Sequence, residues 1–101
     1  MGTASRARVD AQARRFERAV SEEVRRARER AGMNPAALAR AAGMSKPALL
    51  ELESGARGLR LALLYAAAVG IGLDVEDLLL AARRRLLEGD GRQWANGRIR
   101  P

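Results

Sequence analysis

The sequence contains no cysteine and no histidine. Their absence excludes disulfides, cysteine nucleophiles, histidine acids and bases, and the usual zinc sites. We also find no glycine-rich phosphate loop and predict no inward-facing pair of carboxylates. Acidic side chains of the predicted helices fit helix-surface or capping positions, as at Glu22, Glu23, Glu76 and Asp77. We therefore expect no catalytic residue, no metal site and no cofactor, and we predict that the protein is not an enzyme.

Aromatic residues and prolines are equally scarce. Phe, Tyr and Trp occur once each and proline three times, and the sequence has no run of β-branched residues. The core must therefore be built from aliphatic side chains and from alanine, the strongest helix former. With 101 residues, the chain is long enough for one domain with a single modest core. Together these features predict an all-α protein.

Long apolar stretches are missing too. No run approaches the roughly 20 residues that span a membrane, and the N-terminus lacks the apolar segment of a signal peptide. We therefore expect no membrane association and a cytoplasmic location.

What the sequence has in excess is arginine. The formal net charge is +7, and one lysine stands among the 19 basic residues. The charge is uneven, because residues 61–82 carry three acidic and no basic side chains whereas the segments before and after are basic. Such segregation suits a polyanionic partner on one side of the molecule. Arginines that merely cover solvated faces would give the same composition, so charge alone does not decide.

Helical spacing of apolar residues predicts three longer helices, at about residues 10–31, 61–70 and 75–88. The second of these is almost wholly apolar, which favours a helix buried on several sides. Before the first helix, residues 1–9 are predicted to form a disordered basic arm, which is either a phosphate or minor-groove contact or a frayed terminus. After the last helix, residues 89–101 form a predicted basic tail that begins at a Gly-Asp-Gly break.

Two shorter helical patterns, at residues 35–42 and 46–54, follow each other across a tight break at Gly43. Asn34 and Ser45 are suited to cap the first and the second of these helices, because a short polar side chain can accept from the first free backbone N–H groups. Two helices joined by a short glycine-containing turn are typical of a helix-turn-helix, whose second helix commonly enters a groove of DNA.

The order of residues across about positions 20–80 strengthens this interpretation. Four glycines, Gly32, Gly43, Gly55 and Gly72, divide this stretch, and apolar positions lie between them. The chain resembles the lambda-repressor/Cro-like, or Xre-family, DNA-binding domain in four segments, Val20–Asn34, Leu38–Ser45, Ser45–Gly55 and Leu61–Leu79. The resemblance implies a compact five-helix domain at residues 10–88, with flexible basic N- and C-terminal segments.

The resemblance also implies roles for individual residues. Arg28 and Glu53 occupy the positions of a structural ion pair in this family. Base edges would be contacted from the exposed first turns of the second short helix, and phosphates from the residues around that helix. The DNA-binding residues implied in this way are Asn34, Lys46, Pro47, Ala48, Leu50, Glu51, Ser54, Arg57 and Arg60.

Four of these residues, Lys46, Pro47, Leu50 and Glu51, form what we call the recognition face. Pro47 has no N–H with which to contact a base, and Leu50 offers only an apolar contact to a thymine methyl group. Glu51 is able to accept from cytosine N4, but its charge repels phosphate. Lys46 is therefore the one cation of a face that is usually more polar in this family.

Two functions follow from these residues. The first is a DNA-binding transcriptional regulator, a repressor, that binds duplex DNA and associates with the nucleoid when bound. The alternative is a protein-binding module on the same scaffold, such as an antitoxin or adaptor, that contacts its partner through Leu50 and the tail. Trp94 in the tail would be a partner anchor or would fold back onto the last helix.

The last predicted helix carries more apolar residues than a five-helix domain requires. Its surplus predicts a homodimer through this helix and the tail, with Leu78, Leu79, Leu86 and Leu87 at the contact.

Overall fold

A computed structural model of the protein describes the backbone of residues 3–95 and the side chains of residues 5–89. This part of the chain folds into α-helices, which confirms the predicted all-α, five-helix domain. No helix in it is both long enough and apolar enough to cross a membrane. The five helices are α1 (Thr3–Arg30), α2 (Pro35–Ala42), α3 (Lys46–Ser54), α4 (Leu61–Ile71) and α5 (Val75–Ala95).

The first helix begins earlier than predicted. Residues 3–9, assigned from the sequence to a disordered arm, form the first turns of α1. This stretch contains no proline, and alanine and arginine are good helix formers. Arg6 also donates from Nε to Asp10 Oδ1, 3.3 Å away and one turn further on. A stretch of high helix propensity can therefore be helical without a periodic pattern of apolar residues.

The last helix ends later than predicted. α5 continues through Gly89 and Gly91 to Ala95, whereas the sequence predicts that it ends before these glycines. A glycine inside a helix costs only about 1 kcal/mol relative to alanine, and the next proline is Pro101. The side chain of Trp94 and the tail beyond residue 95 lie outside the described residues.

The connection between α2 and α3 is fixed by hydrogen bonds at both helix ends. Asn34 Oδ1 accepts from the N–H of Ala37 at 2.8 Å, and Ser45 Oγ accepts from the N–H of Ala48 at 3.2 Å. Between the two helices, Gly43 adopts a left-handed conformation with φ 71°. A side chain at this position would be strained, so glycine allows the chain to reverse within three residues.

The core draws on all five helices. Each helix contributes at least one aliphatic side chain that is almost completely buried, and burial of such a side chain stabilises the fold by about 1.5–3 kcal/mol. The largest of them are Val20, Val24, Leu38, Leu49, Leu64 and Leu78.

α4 departs from its predicted burial on several sides. Its buried face consists of Leu64, Ala67 and Ala68. On another face, Leu61, Tyr65 and Val69 are 69%, 60% and 57% exposed. The composition of this helix is nearly uniform, so the sequence carries no periodic signal that could distinguish the two faces.

Gly70 lets α4 approach α2 closely. A Cβ atom at this position would lie 2.9 Å from Leu38 Cδ1 and 3.1 Å from the backbone nitrogen of Ala42. Both distances are shorter than a normal contact, so the space between the two helices is filled. The cost of a glycine inside α4 is thus offset by close packing against α2.

The extended α1 packs along α5 and covers much of its apolar surface. Leu78 is buried, and Leu79 and Leu86 pack against the core. Of the four leucines assigned to a dimer contact, Leu87 is the one that stays exposed, at 53%.

Candidate nucleic-acid interface

The first turns of α3 present the recognition face to solvent. Lys46 is the first residue of this helix, and it is exposed together with Pro47 and Glu51. Leu50 is 45% exposed although it is apolar. Ala48 differs, because it is half-buried and its N–H is used by the Ser45 cap. The side chains that a ligand can reach on this face are therefore one cation, one anion and two apolar groups.

Arg28 and Glu53 come together although 25 positions separate them in the sequence. Arg28 donates from Nε and Nη2 to the two carboxylate oxygens of Glu53, at 2.7 and 3.0 Å. Its remaining nitrogen, Nη1, donates to the carbonyl of Met33 at 2.9 Å. The side chains are only 9% and 6% exposed. The hydrogen bond to Glu53 raises the pKa of Arg28 above its usual value. The contact ties α3 to α1.

A second ion pair lies on the exposed side of α3. Arg57 Nε is 3.1 Å from Glu51 Oε2, and these two side chains are 82% and 45% exposed. Glu51 belongs to the recognition face and Arg57 was assigned to phosphate binding. The two assigned residues thus lie in contact and offset each other's charge.

The side chains of Ser54 and Asn34 already form hydrogen bonds with the protein's own backbone. The Ser54 hydroxyl donates to the carbonyl of Glu51 at 2.9 Å and accepts from the N–H of Ala56 at 3.2 Å. The side-chain oxygen of Asn34 caps α2, which leaves its NH₂ group as the donor that can face a phosphate. Asn34 is therefore better placed than Ser54 for such a contact.

Arg57 and Arg60 lie on the same side of the molecule, beside the C-terminal end of α3. Both line a shallow cavity of about 210 Å³ that also includes Glu51. Arg60 is exposed at the start of α4, where it is the residue before the first helical position. The loop between α3 and α4 thus presents two arginines next to the recognition face.

Two arginines of α1, Arg14 and Arg18, lie beside this loop and are absent from the residues predicted to bind DNA. Both line a cavity of about 380 Å³ with Glu17 and the loop that carries Arg57. Arg18 also packs over Gly55, since a Cβ atom on Gly55 would lie 3.4 Å from Arg18 Cγ. Their spacing of four residues on a helix places them on one face, and this was the available signal.

The structure corrects the surface position predicted for Glu23. It was assigned to the helix surface, but its side chain is only 3% exposed and contacts Arg85 on α5. Arg85 donates from Nε to Glu23 Oε2 at 2.8 Å and also from Nη2 to the same oxygen. A pair 62 residues apart leaves no local pattern in the sequence. This contact belongs to the packing of α1 on α5, away from the recognition face.

Within the described residues, no group of three or more His, Cys, Asp or Glu side chains could hold a metal ion.

A comparison with protein-family models gives one finding about this arrangement. The model described as a helix-turn-helix domain matches residues 19–81, which is more than half of the chain. The matched stretch contains all of α2, α3 and α4, the second part of α1 and the first turns of α5. No curated protein and no solved structure matches the chain.

Proposed function

The chain belongs to this helix-turn-helix family, and on that premise we propose that it is a transcriptional regulator that binds duplex DNA through α3. The observation that carries the proposal is the placement of cations around this helix. Lys46 begins α3, and Arg57 and Arg60 lie past its other end. A helix of nine residues is about 13 Å long, comparable to the roughly 12 Å width of the major groove. The helix then fits the groove, with Lys46 at the base edges and Arg57 able to meet a phosphate beyond its other end.

Base contacts in this proposal come from the recognition face. Lys46 donates to the acceptors of guanine, and Leu50 contacts a thymine methyl group. Glu51 is able to accept from cytosine N4 only if Arg57 leaves it for a phosphate. A good bidentate base contact contributes about 1–3 kcal/mol of discrimination. With so few contacts per copy, specificity calls for a homodimer that doubles them and for readout of DNA shape.

We also propose a regulatory sign and a location. A small domain that occupies promoter DNA excludes polymerase, so we take the protein to be a repressor. It would act in the cytoplasm and associate with the nucleoid while bound to DNA. A promoter-reporter assay tests the sign, because expression should rise when the Lys46→Ala variant replaces the wild type.

The DNA proposal is tested by fluorescence anisotropy with a labelled duplex from the protein's own promoter, titrated at several salt concentrations. Each lost phosphate contact should weaken binding and reduce the slope of log K against log salt by about 0.9. We expect both effects from Arg57→Ala, and weaker binding from Lys46→Ala, which removes a base contact. The matched control is Arg84→Ala, which removes the same charge from the exposed surface of α5. The proposal fails if the duplex does not bind at low salt, or if all three variants behave alike.

A second candidate, a protein-binding module such as an antitoxin or adaptor, is favoured by the exposure of Leu50. An apolar side chain that is 45% exposed at the centre of the recognition face suits a protein contact better than a phosphate-lined groove. Affinity purification from the native host tests it, with Leu50→Asp as the variant. A stoichiometric partner that is lost with this variant supports the module, and a partner that is retained contradicts contact through Leu50.

A further inference from the structure

One face of α4 carries an apolar stripe that we call the α4 stripe, formed by Leu61, Tyr65 and Val69. These residues recur every fourth position, so they lie in line on one side of the helix over about 12 Å. Each is more than half exposed. Leu73, four residues further on, is 37% exposed. Single exposed apolar residues are common on protein surfaces, but a continuous row of them marks an interaction site.

DNA is a poor occupant for the α4 stripe. A polyanion is bound by cations and hydrogen-bond donors, whereas residues 61–82 contain no basic side chain. The occupant must instead offer an apolar surface of its own. We propose that the occupant is a second copy of this chain, with the α4 stripes of two copies packed against each other about a twofold axis.

The charges at the two ends of α4 set the orientation of this contact. Arg60 lies at the N-terminal end of α4, and Asp74, Glu76 and Asp77 follow its C-terminal end. In an antiparallel arrangement, the basic end of each α4 meets the acidic end of the other. A parallel arrangement would place like charges together at both ends. The stripe is therefore complementary to itself in the antiparallel orientation, as a twofold contact requires.

The exposed leucines of α5 do not offer the same complementarity. Leu80 and Leu87 are 58% and 53% exposed, but Arg83 and Arg84 lie between them in the sequence and are exposed as well. Two copies that met across this surface would bring arginines of one copy toward arginines of the other. Like charges placed opposite each other disfavour association. We therefore assign the dimer contact to α4 and not to α5.

This inference rests on the homodimer of the proposed function, but it is tested without DNA, so that the two can fail separately. Sedimentation equilibrium of the full chain is measured from 5 to about 200 µM for wild type, Tyr65→Glu and Val69→Glu. Each variant places a carboxylate on both sides of the contact, and we expect at least about a tenfold weaker dimer. Both positions are exposed, so circular dichroism should show an unchanged helix content.

Leu87→Glu is the matched control, because it introduces the same charge at an equally exposed leucine outside the stripe. Its dimer affinity should stay within about twofold of wild type. A monomeric wild type overturns the proposal, as does a dimer that is broken by Leu87→Glu and not by the stripe variants. A dimer that forms normally but binds no DNA overturns the proposed function and leaves the α4 contact supported.

The orientation is tested with charge reversals at the two ends of α4. Arg60→Glu makes one end acidic, and Glu76→Lys makes the other end more basic. Each variant alone should dimerise more weakly than wild type, whereas an equimolar mixture should recover association as a heterodimer. No recovery in the mixture contradicts the pairing of unlike ends.

Discussion

Two ion pairs on opposite sides of α3 have the same chemistry and different surroundings. Glu53 and Arg28 are nearly buried and joined by two hydrogen bonds. Glu51 and Arg57, on the solvent side, are joined by one contact of 3.1 Å. A buried charge that loses its partner has no water to replace it, whereas an exposed charge does. The inner pair therefore holds the helix in place, and the outer pair is free to exchange its partner for a phosphate.

The largest expected effect is on the inner pair. Arg28→Ala leaves the Glu53 carboxylate buried without its partner, and we expect the free energy of unfolding to fall by about 3–5 kcal/mol. Urea denaturation of this variant is compared with that of Arg57→Ala, which should lose less than about 1 kcal/mol. Equal losses in the two variants would show that burial does not separate the pairs.

A smaller effect is expected for the pair between α1 and α5, which is intermediate in exposure. The side chain of Glu23 is 3% exposed and that of Arg85 is 41% exposed. Arg85→Ala should lower the free energy of unfolding by about 1–3 kcal/mol, because Glu23 stays buried while water reaches only part of the site. The control is Arg84→Ala, whose side chain is exposed. If both variants lose the same stability, the contact with Arg85 does not stabilise the buried carboxylate of Glu23.

The outer pair should respond in binding and not in stability. Glu51→Gln releases Arg57 and removes a carboxylate that repels phosphate, so affinity for duplex DNA should rise. The free energy of unfolding should change by less than about 1 kcal/mol. Anisotropy titrations against salt measure the first effect, with Glu88→Gln, an exposed site on α5, as the control. Weaker DNA binding by Glu51→Gln would instead assign Glu51 to a direct base contact.

Ser21 is buried like the inner pair, but its hydroxyl carries no charge. Its Oγ has no hydrogen-bond partner among the described residues. Ser21→Ala removes a buried polar group, so stability should be unchanged or higher by up to about 1 kcal/mol. Thermal unfolding followed by circular dichroism measures the change. A clear loss of stability would mean that the hydroxyl is hydrogen-bonded in solution.

The smallest effect concerns a half-buried pair on α1, Glu22 and Arg25. The hydrogen bond from Arg25 is the main cause that lowers the pKa of Glu22 from its ordinary value of 4.5. The carboxylate is thus favoured by folding, and its contribution is present above the unfolded pKa and is lost as pH falls through the folded one. Glu22→Gln should slightly flatten the loss of stability below about pH 4.5. An unchanged acid limb in urea titrations would exclude this contribution.

The sequence was sufficient for the fold, because glycine spacing and apolar periodicity both report on helices. It was insufficient at the helix ends, where high propensity in residues 3–9 and the small cost of a glycine inside α5 outweigh the local signals. The uniform composition of α4 concealed the exposed row at Leu61, Tyr65 and Val69. The surplus of leucines in α5 led to the prediction of a dimer contact there, and sedimentation equilibrium decides between α5 and α4.

Two contacts of the candidate site differ in how far the sequence predicts them. Family resemblance assigned Arg28 to Glu53, and the structure places them in contact. The contact between Glu51 and Arg57 crosses the turn after α3, where no periodic pattern applies. From the sequence alone, Glu51 and Arg57 are therefore assigned separate contacts to DNA, although their charges offset each other in the structure.

Gly70 lies outside the recognition face, but it affects the angle at which α3 is presented. Alanine would favour the helical state of α4 at this position by about 1 kcal/mol. Its Cβ, however, would push against Leu38 and the backbone of Ala42, and α2 would have to shift. Since α3 follows α2 across a three-residue turn, it would be tilted with α2. The size of the side chain at position 70 thus limits the orientation of α2 and α3, without any change in the residues that face DNA.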